Sequence, residues 1–166
     1  MRQQPPLHPG MGTFASRIDG VDAGIVSDGL TIVRLHRQIE MLIEQQMAGW
    51  GLTARQINIL QALYFSSEGL TPAELSDQVG LSRSAMTGAL DCLERHGHTR
   101  RRQHPTDRRM VGVSLTQKGR NFIERRLPER FRRLHRVIGV LTRNERRTLL
   151  RAYPKIIGAL SKLTDG

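Results

Sequence analysis

The run from Leu70 to Gly97 leaves a folding chain little freedom, because start and stop signals for two helices are packed into one short stretch. Thr71 is followed by Pro72 at a first helical position and by Glu74 three residues on, the pattern of a capping box. Val79 continues the apolar stripe begun by Leu75, and Gly80 supplies a left-handed stop. The spacing predicts a short helix over 72–79. After Leu81, Ser82 is placed to cap a second helix in which Met86, Ala89, Leu90 and Leu93 recur at helical spacing, and Gly97 ends it. The opposite face carries Arg83, Ser84, Thr87, Gly88 and Asp91. Two helices joined by a tight Gly-containing turn, the second small and polar at its start, suit a recognition helix in a DNA major groove, where bulky side chains would hold it off the base edges. Cys92, between Leu90 and Leu93, reads as a small core residue.

Next comes a period of two. Val111, Val113 and Leu115 alternate with Met110, Gly112 and Ser114, which predicts a strand returning from one that begins at Thr99. The hairpin tip, His104 to Arg109, is preceded by Arg100, Arg101 and Arg102, so five arginines fall on one hairpin. Such a wing can enter the narrow minor groove, whose negative potential favours guanidinium. A charged hairpin that is merely well solvated is the plainer reading, and its position directly after a helix-turn-helix argues against it. The expected fold class is mainly α with a small β-hairpin wing: a winged helix-turn-helix with N- and C-terminal dimerisation helices.

These residues carry a family resemblance. Leu52-Thr53 with Gln56 and Leu60, Leu70 to Leu75, Leu81 to Ser84, Leu93-Glu94, Asp107-Arg108-Arg109, Leu115 to Gly119, and Leu141-Thr142 with Glu145 together resemble the MarR family of transcriptional regulators over about residues 30–163. The Asp-Arg-Arg wing followed by Leu-Thr-x-x-Gly is the most specific part. The resemblance implies a homodimer that binds a palindromic operator in double-stranded DNA and releases it when a small aromatic acid or phenol binds. It assigns DNA contact to Ser82, Arg83, Ser84, Thr87 and Gly88 on the helix and to Arg102, Asp107, Arg108 and Arg109 on the wing. It also implies a ligand pocket between the dimerisation helices and the winged-helix core, for which His36, Trp50 and Asn58 are the candidates, with Arg102 or Arg109 to receive an anion. The Leu127-Pro128 step and the long N-terminal extension resemble the urate-responsive subgroup, from whose acidic position Asn58 departs. Trp50 as a core aromatic, and His36 and Asn58 as ordinary helix residues, are the structural alternatives.

Charge agrees with a nucleic-acid partner independently. The chain of 166 residues is +11, and residues 95–151 hold 18 of its 26 Lys+Arg but only Asp107, Glu124, Glu129 and Glu145 of its acids. A patch of that kind attracts phosphate through counterion release without sequence preference. RNA modules bring aromatics for stacking, and only 4% of this chain is aromatic. No run has the length of a membrane span, and the single cysteine fits a cytoplasmic protein without a disulfide framework.

The remaining patterns divide the chain. Residues 1–28 read as a flexible arm, 29–51 as an N-terminal dimerisation helix carrying Ile32, Leu35, Ile39, Leu42, Ile43 and Met47, 52–116 as the winged helix-turn-helix, and 117–166 as C-terminal dimerisation helices. Pro128 and Pro154 should bend or restart the last two helices. Thr142 with Glu145 predicts another helix start at Arg143. An enzyme is not expected: there is no Gly-rich phosphate loop, no paired carboxylate face and no nucleophile beside a base. His96 and His98 bracket a helix stop with no third metal ligand, so no metal and no cofactor is expected. The competing classes are a ligand-independent architectural or nucleoid DNA-binding protein and an RNA-binding module.

Overall fold

The computed structural model describes residues 9–103 and 111–164. The chain divides into two compact units, 1–57 and 58–166.

The first unit holds α1 (Pro9–Ala15), α2 (Ala23–Met47), a single 3-10 turn at Ala48–Trp50 and the start of α3 (Ala54–Phe65), which runs across the division. The expected loose arm is therefore corrected from Pro9 onward, and the first long helix starts six residues before the expected Gly29. Asp22 starts it, accepting a hydrogen bond from the Ile25 amide at 3.0 Å. Gly20, Gly24 and Gly29 hide this start from a propensity reading, since each weakens a helix. At the head of α3, Gln56 Oε1 accepts from the Thr53 amide at 2.9 Å while Thr53 Oγ accepts from the Gln56 amide at 3.2 Å, a reciprocal cap on two residues of the family pattern.

The second unit continues with α4 (Pro72–Val79), α5 (Arg83–Arg95), the antiparallel pair β1 (Thr99–Gln103) and β2 (Val111–Leu115), α6 (Gln117–Ile138) and α7 (Arg143–Thr164). Its core is made by the apolar faces read from the sequence: Leu60, Leu75, Met86, Leu90, Leu93, Val113 and Ile123 are almost wholly buried. Each side chain of this kind contributes roughly 1.5–3 kcal/mol on leaving water. Cys92 is not in that core. It is half-buried, with Sγ 3.5 Å from His96 Nδ1 one turn on, because it falls at the margin of the α5 stripe. Neither long helix restarts at its proline: α6 continues through Pro128 and α7 through Pro154. The glycine at the end of α5 does what its position demands: at φ +70° Gly97 donates to Glu94 O, and His98 donates back to Leu93 O at 2.9 Å.

That carbonyl-rich corner fixes the wing to the helix after it. Thr116 caps α6 by accepting from the Gly119 amide at 3.1 Å, its hydroxyl reaches Gly97 O at 2.6 Å, and its own amide donates to His98 O at 3.0 Å. Gly119 then lies flat on His98: a Cβ added there would sit 2.0 Å from the His98 carbonyl oxygen. The Leu-Thr-x-x-Gly pattern is thus one joint, with Thr as clasp and Gly as clearance. On α2, α6 and α7 the apolar rows stay uncovered in the single chain, including Ile39, Leu42, Phe131, Leu134, Leu150 and Leu163.

Gly119→Ala should lower stability by roughly 2–4 kcal/mol, since backbone rather than a yielding side chain blocks the methyl. Urea unfolding followed by circular dichroism measures it, and a change within about 0.5 kcal/mol would mean that the joint opens without cost.

Candidate nucleic-acid interface

The helix pair is set by its caps. Thr71 Oγ accepts from the Glu74 amide at 3.2 Å, and the Glu74 carboxylate returns to the Thr71 amide at 2.7 Å. Gly80 at φ +70° turns the chain, and Ser82 Oγ accepts from the Ala85 amide to begin α5. With Met86, Leu90 and Leu93 turned inward, Ser82, Arg83, Ser84, Thr87 and Gly88 are all exposed along one stripe of α5. The five helix residues picked from the sequence are therefore brought together. Thr87 Oγ donates to the Arg83 carbonyl at 3.0 Å, which leaves its lone pairs outward. Among the described residues, nothing lies within 4 Å of a Cβ added at Gly88. A mid-helix glycine costs about 0.5–1 kcal/mol against alanine, and no neighbour among the described residues needs the space.

The wing pairs Thr99 with Leu115 and Gln103 with Val111, and a further bridge ties Leu70 to Val113 through hydrogen bonds of 3.0 and 2.8 Å. Gly69, at φ +85°, permits this approach, since a Cβ there would lie 2.7 Å from Val113 O. The arginines of β1 differ in their partners. Arg100 Nε donates to Ser114 Oγ at 3.3 Å. Arg101 reaches back to the recognition helix, with Nη2 on Asp91 at 2.5 Å and Nη1 on Glu94 at 2.8 Å. The only sign of this pairing in the sequence is the Asp91–Glu94 spacing on one face of α5. Asp107, Arg108 and Arg109, and the side chain of Arg102, lie outside the described residues.

At the foot of β1, His98 is buried, its ring tilted against Phe122 with centroids 5.1 Å apart. Its Nδ1 has no hydrogen-bond partner among the described residues. Burial first, and then the charges of Lys118 and His96, hold the imidazole below its ordinary 6.5. The neutral form is therefore the one the fold accepts.

The ligand candidates do not gather in one place. His36 is exposed on α2, 3.7 Å from Glu40, and Trp50 is buried, both in the first unit. Asn58 belongs to the second unit and lines an open cleft of about 650 Å³ with Gln61, Phe65, Ser66 and Gln78. Its Oδ1 accepts from Arg130 Nη2 at 2.6 Å across 72 residues of sequence. Burial lowers the Arg130 pKa from its ordinary value. Nothing in the sequence announced that Arg130 would answer Asn58.

Comparison with known proteins agrees with this geometry. The profile described as MarR family matches residues 52–111. The chain is 26% identical over 161 residues, 96% of each protein, to the HTH-type transcriptional repressor YetL of Bacillus subtilis. Its fold is similar to AbsC, a MarR-family transcriptional regulator of Streptomyces coelicolor, at TM-score 0.73 and 22% identity, covering 81% of this chain and 93% of AbsC. It is also similar to the transcriptional repressor CouR bound to a 23-mer DNA duplex, at TM-score 0.67 and 27% identity, covering 84% of this chain and 99% of that one. No helix among the described residues is long and apolar enough to cross a membrane.

His98 predicts a pH dependence. With the folded pKa depressed, the unfolded chain binds more protons between that value and 6.5, so stability is lost as pH falls below about 6.5 and through the folded pKa. His98→Leu should flatten the stability profile below about pH 6.5; an unchanged slope in that variant would assign the dependence to other groups.

Proposed function

Because the chain belongs to the MarR family of winged-helix transcriptional regulators, we propose that it is a repressor that binds a palindromic operator as a homodimer and leaves it when a small aromatic acid or phenol binds. One observation carries the DNA part: Ser82, Arg83, Ser84, Thr87 and Gly88 share an exposed stripe at the head of a helix whose other face is core. Hydroxyls and a guanidinium there can meet base edges, and Gly88 lets the helix backbone come close to the groove wall. Arg108 or Arg109 enters the adjacent minor groove, Asp107 steadies the tip, and Arg102 binds phosphate at the wing's edge. The uncovered apolar rows of α2, α6 and α7 support the homodimer, which sets two recognition helices one DNA turn apart. The cleft beside Asn58, lined also by Gln61, Phe65 and Gln78, supports an effector site within the second unit. Bound ligand acts by favouring a dimer whose helix spacing no longer matches the groove.

Footprinting on the DNA beside the protein's own gene tests this reading. A bounded palindromic footprint is expected, with affinity falling steeply as salt rises and release by an aromatic carboxylate or phenol. Coating without boundaries would instead indicate an architectural protein, and preference for single-stranded RNA an RNA module.

Gly88→Ala separates folding from binding. The variant should be more stable by about 0.5–1 kcal/mol, because the helix gains and nothing clashes, yet bind the operator more weakly. Full operator affinity in the stabilised variant would remove Gly88 from the interface.

A further inference from the structure

Arginines near a DNA-binding helix are ordinarily counted as phosphate contacts. Arg101 is spent inside the protein. Its Nη2 lies 2.5 Å from Asp91 Oδ1 and its Nη1 2.8 Å from Glu94 Oε2, while its backbone amide donates to the other oxygen of Glu94 at 3.2 Å. All three side chains are about half exposed, so the cluster faces solvent and is not a core ion pair.

The position of the two acids gives this cluster its meaning. Asp91 follows Thr87 by four residues and Gly88 by three, so it extends the same stripe of α5 that carries the exposed contact residues. Glu94 stands one turn further on. Two carboxylates at that place would face the phosphate backbone where the helix leaves the groove, within a Debye length of several phosphates. We propose that Arg101 is a charge mask: it occupies both carboxylates so that the recognition helix can approach a polyanion. The role rests on the operator-binding reading and adds to it a residue that contributes without touching DNA. Arg101 is a positioning residue in this sense, acting through Asp91 and Glu94.

A mask and a phosphate contact differ in what repairs their loss. Arg101→Ala takes the cluster from a net charge of −1 to −2, leaves both carboxylates unpaired and should weaken operator binding roughly tenfold or more. Adding Asp91→Asn and Glu94→Gln removes the charges that the arginine covered, and the triple variant should recover to within about threefold of the wild-type chain, with the same dependence of log affinity on log salt. If Arg101 contacted phosphate, the triple variant would stay as weak as Arg101→Ala and its salt slope would fall by about one contact. If Arg101 were only a strut for the wing, the triple variant would again stay weak, with its thermal unfolding shifted down alongside. Either of these two results overturns the mask. Absence of any bounded operator footprint with the wild-type chain would instead sink the operator reading itself, and the mask with it.

Discussion

The carbonyl oxygen of His98 is the point on which the second unit turns. It accepts the Thr116 amide, lies against the Cα of Gly119, and belongs to the residue that completes the glycine stop of α5. Helix α5, the wing and α6 are thereby referred to one peptide group. A recognition helix reads DNA only if its angle to the wing is fixed, and that angle is fixed here by short backbone bonds that need no large interface. The buried, neutral His98 ring against Phe122 fills the space behind the same peptide.

Most of this unit was legible because its signals are local. Capping boxes at Thr71 and Thr142, the Ser82 cap, the Gly80 and Gly97 stops and the period-two strand each depend on residues within a few positions of one another. The same logic explains the failures. Asp22 caps α2 amid three glycines whose propensity argues the other way, so the sequence pattern starts the helix six residues late. A proline removes one backbone donor but does not by itself end a helix, so α6 and α7 continue through Pro128 and Pro154 without a restart. A stripe read in one dimension has no edge and so takes in Cys92, whereas on the helix that residue lies at the margin of the core. Contacts between distant residues, Arg130 with Asn58 above all, had no local signature.

The arginines show why composition alone is a blunt guide to an interface. Residues 95–151 are strongly basic, but their guanidinium groups do different work. Arg101 is committed to two carboxylates, Arg130 to an amide, Arg120 lies over the Tyr64 ring with 5.4 Å to the centroid, and Arg133 pairs with Glu129. A polyanion sees the charges of Arg101 and Arg133 offset by their carboxylates, while Arg120 and Arg130, held by neutral groups, keep theirs in fixed positions. Sorting the charge by partner turns a basic patch into a smaller set of groups available to phosphate.

The Leu70–Val113 bridge also bears on how the unit assembles. The β1–β2 hairpin pairs residues close in sequence, and α4 and α5 are closed by a short turn, so both can form from neighbours alone. Leu70 and Val113 stand on either side of the helix pair and half of the wing, and their two hydrogen bonds cannot form until that whole stretch is folded back on itself. Long-separation contacts of this kind carry the loop-closure entropy of everything between them. The Val113 amide, which donates to Leu70 O, is therefore a reporter, by hydrogen exchange, of whether wing and helix pair are joined as one body.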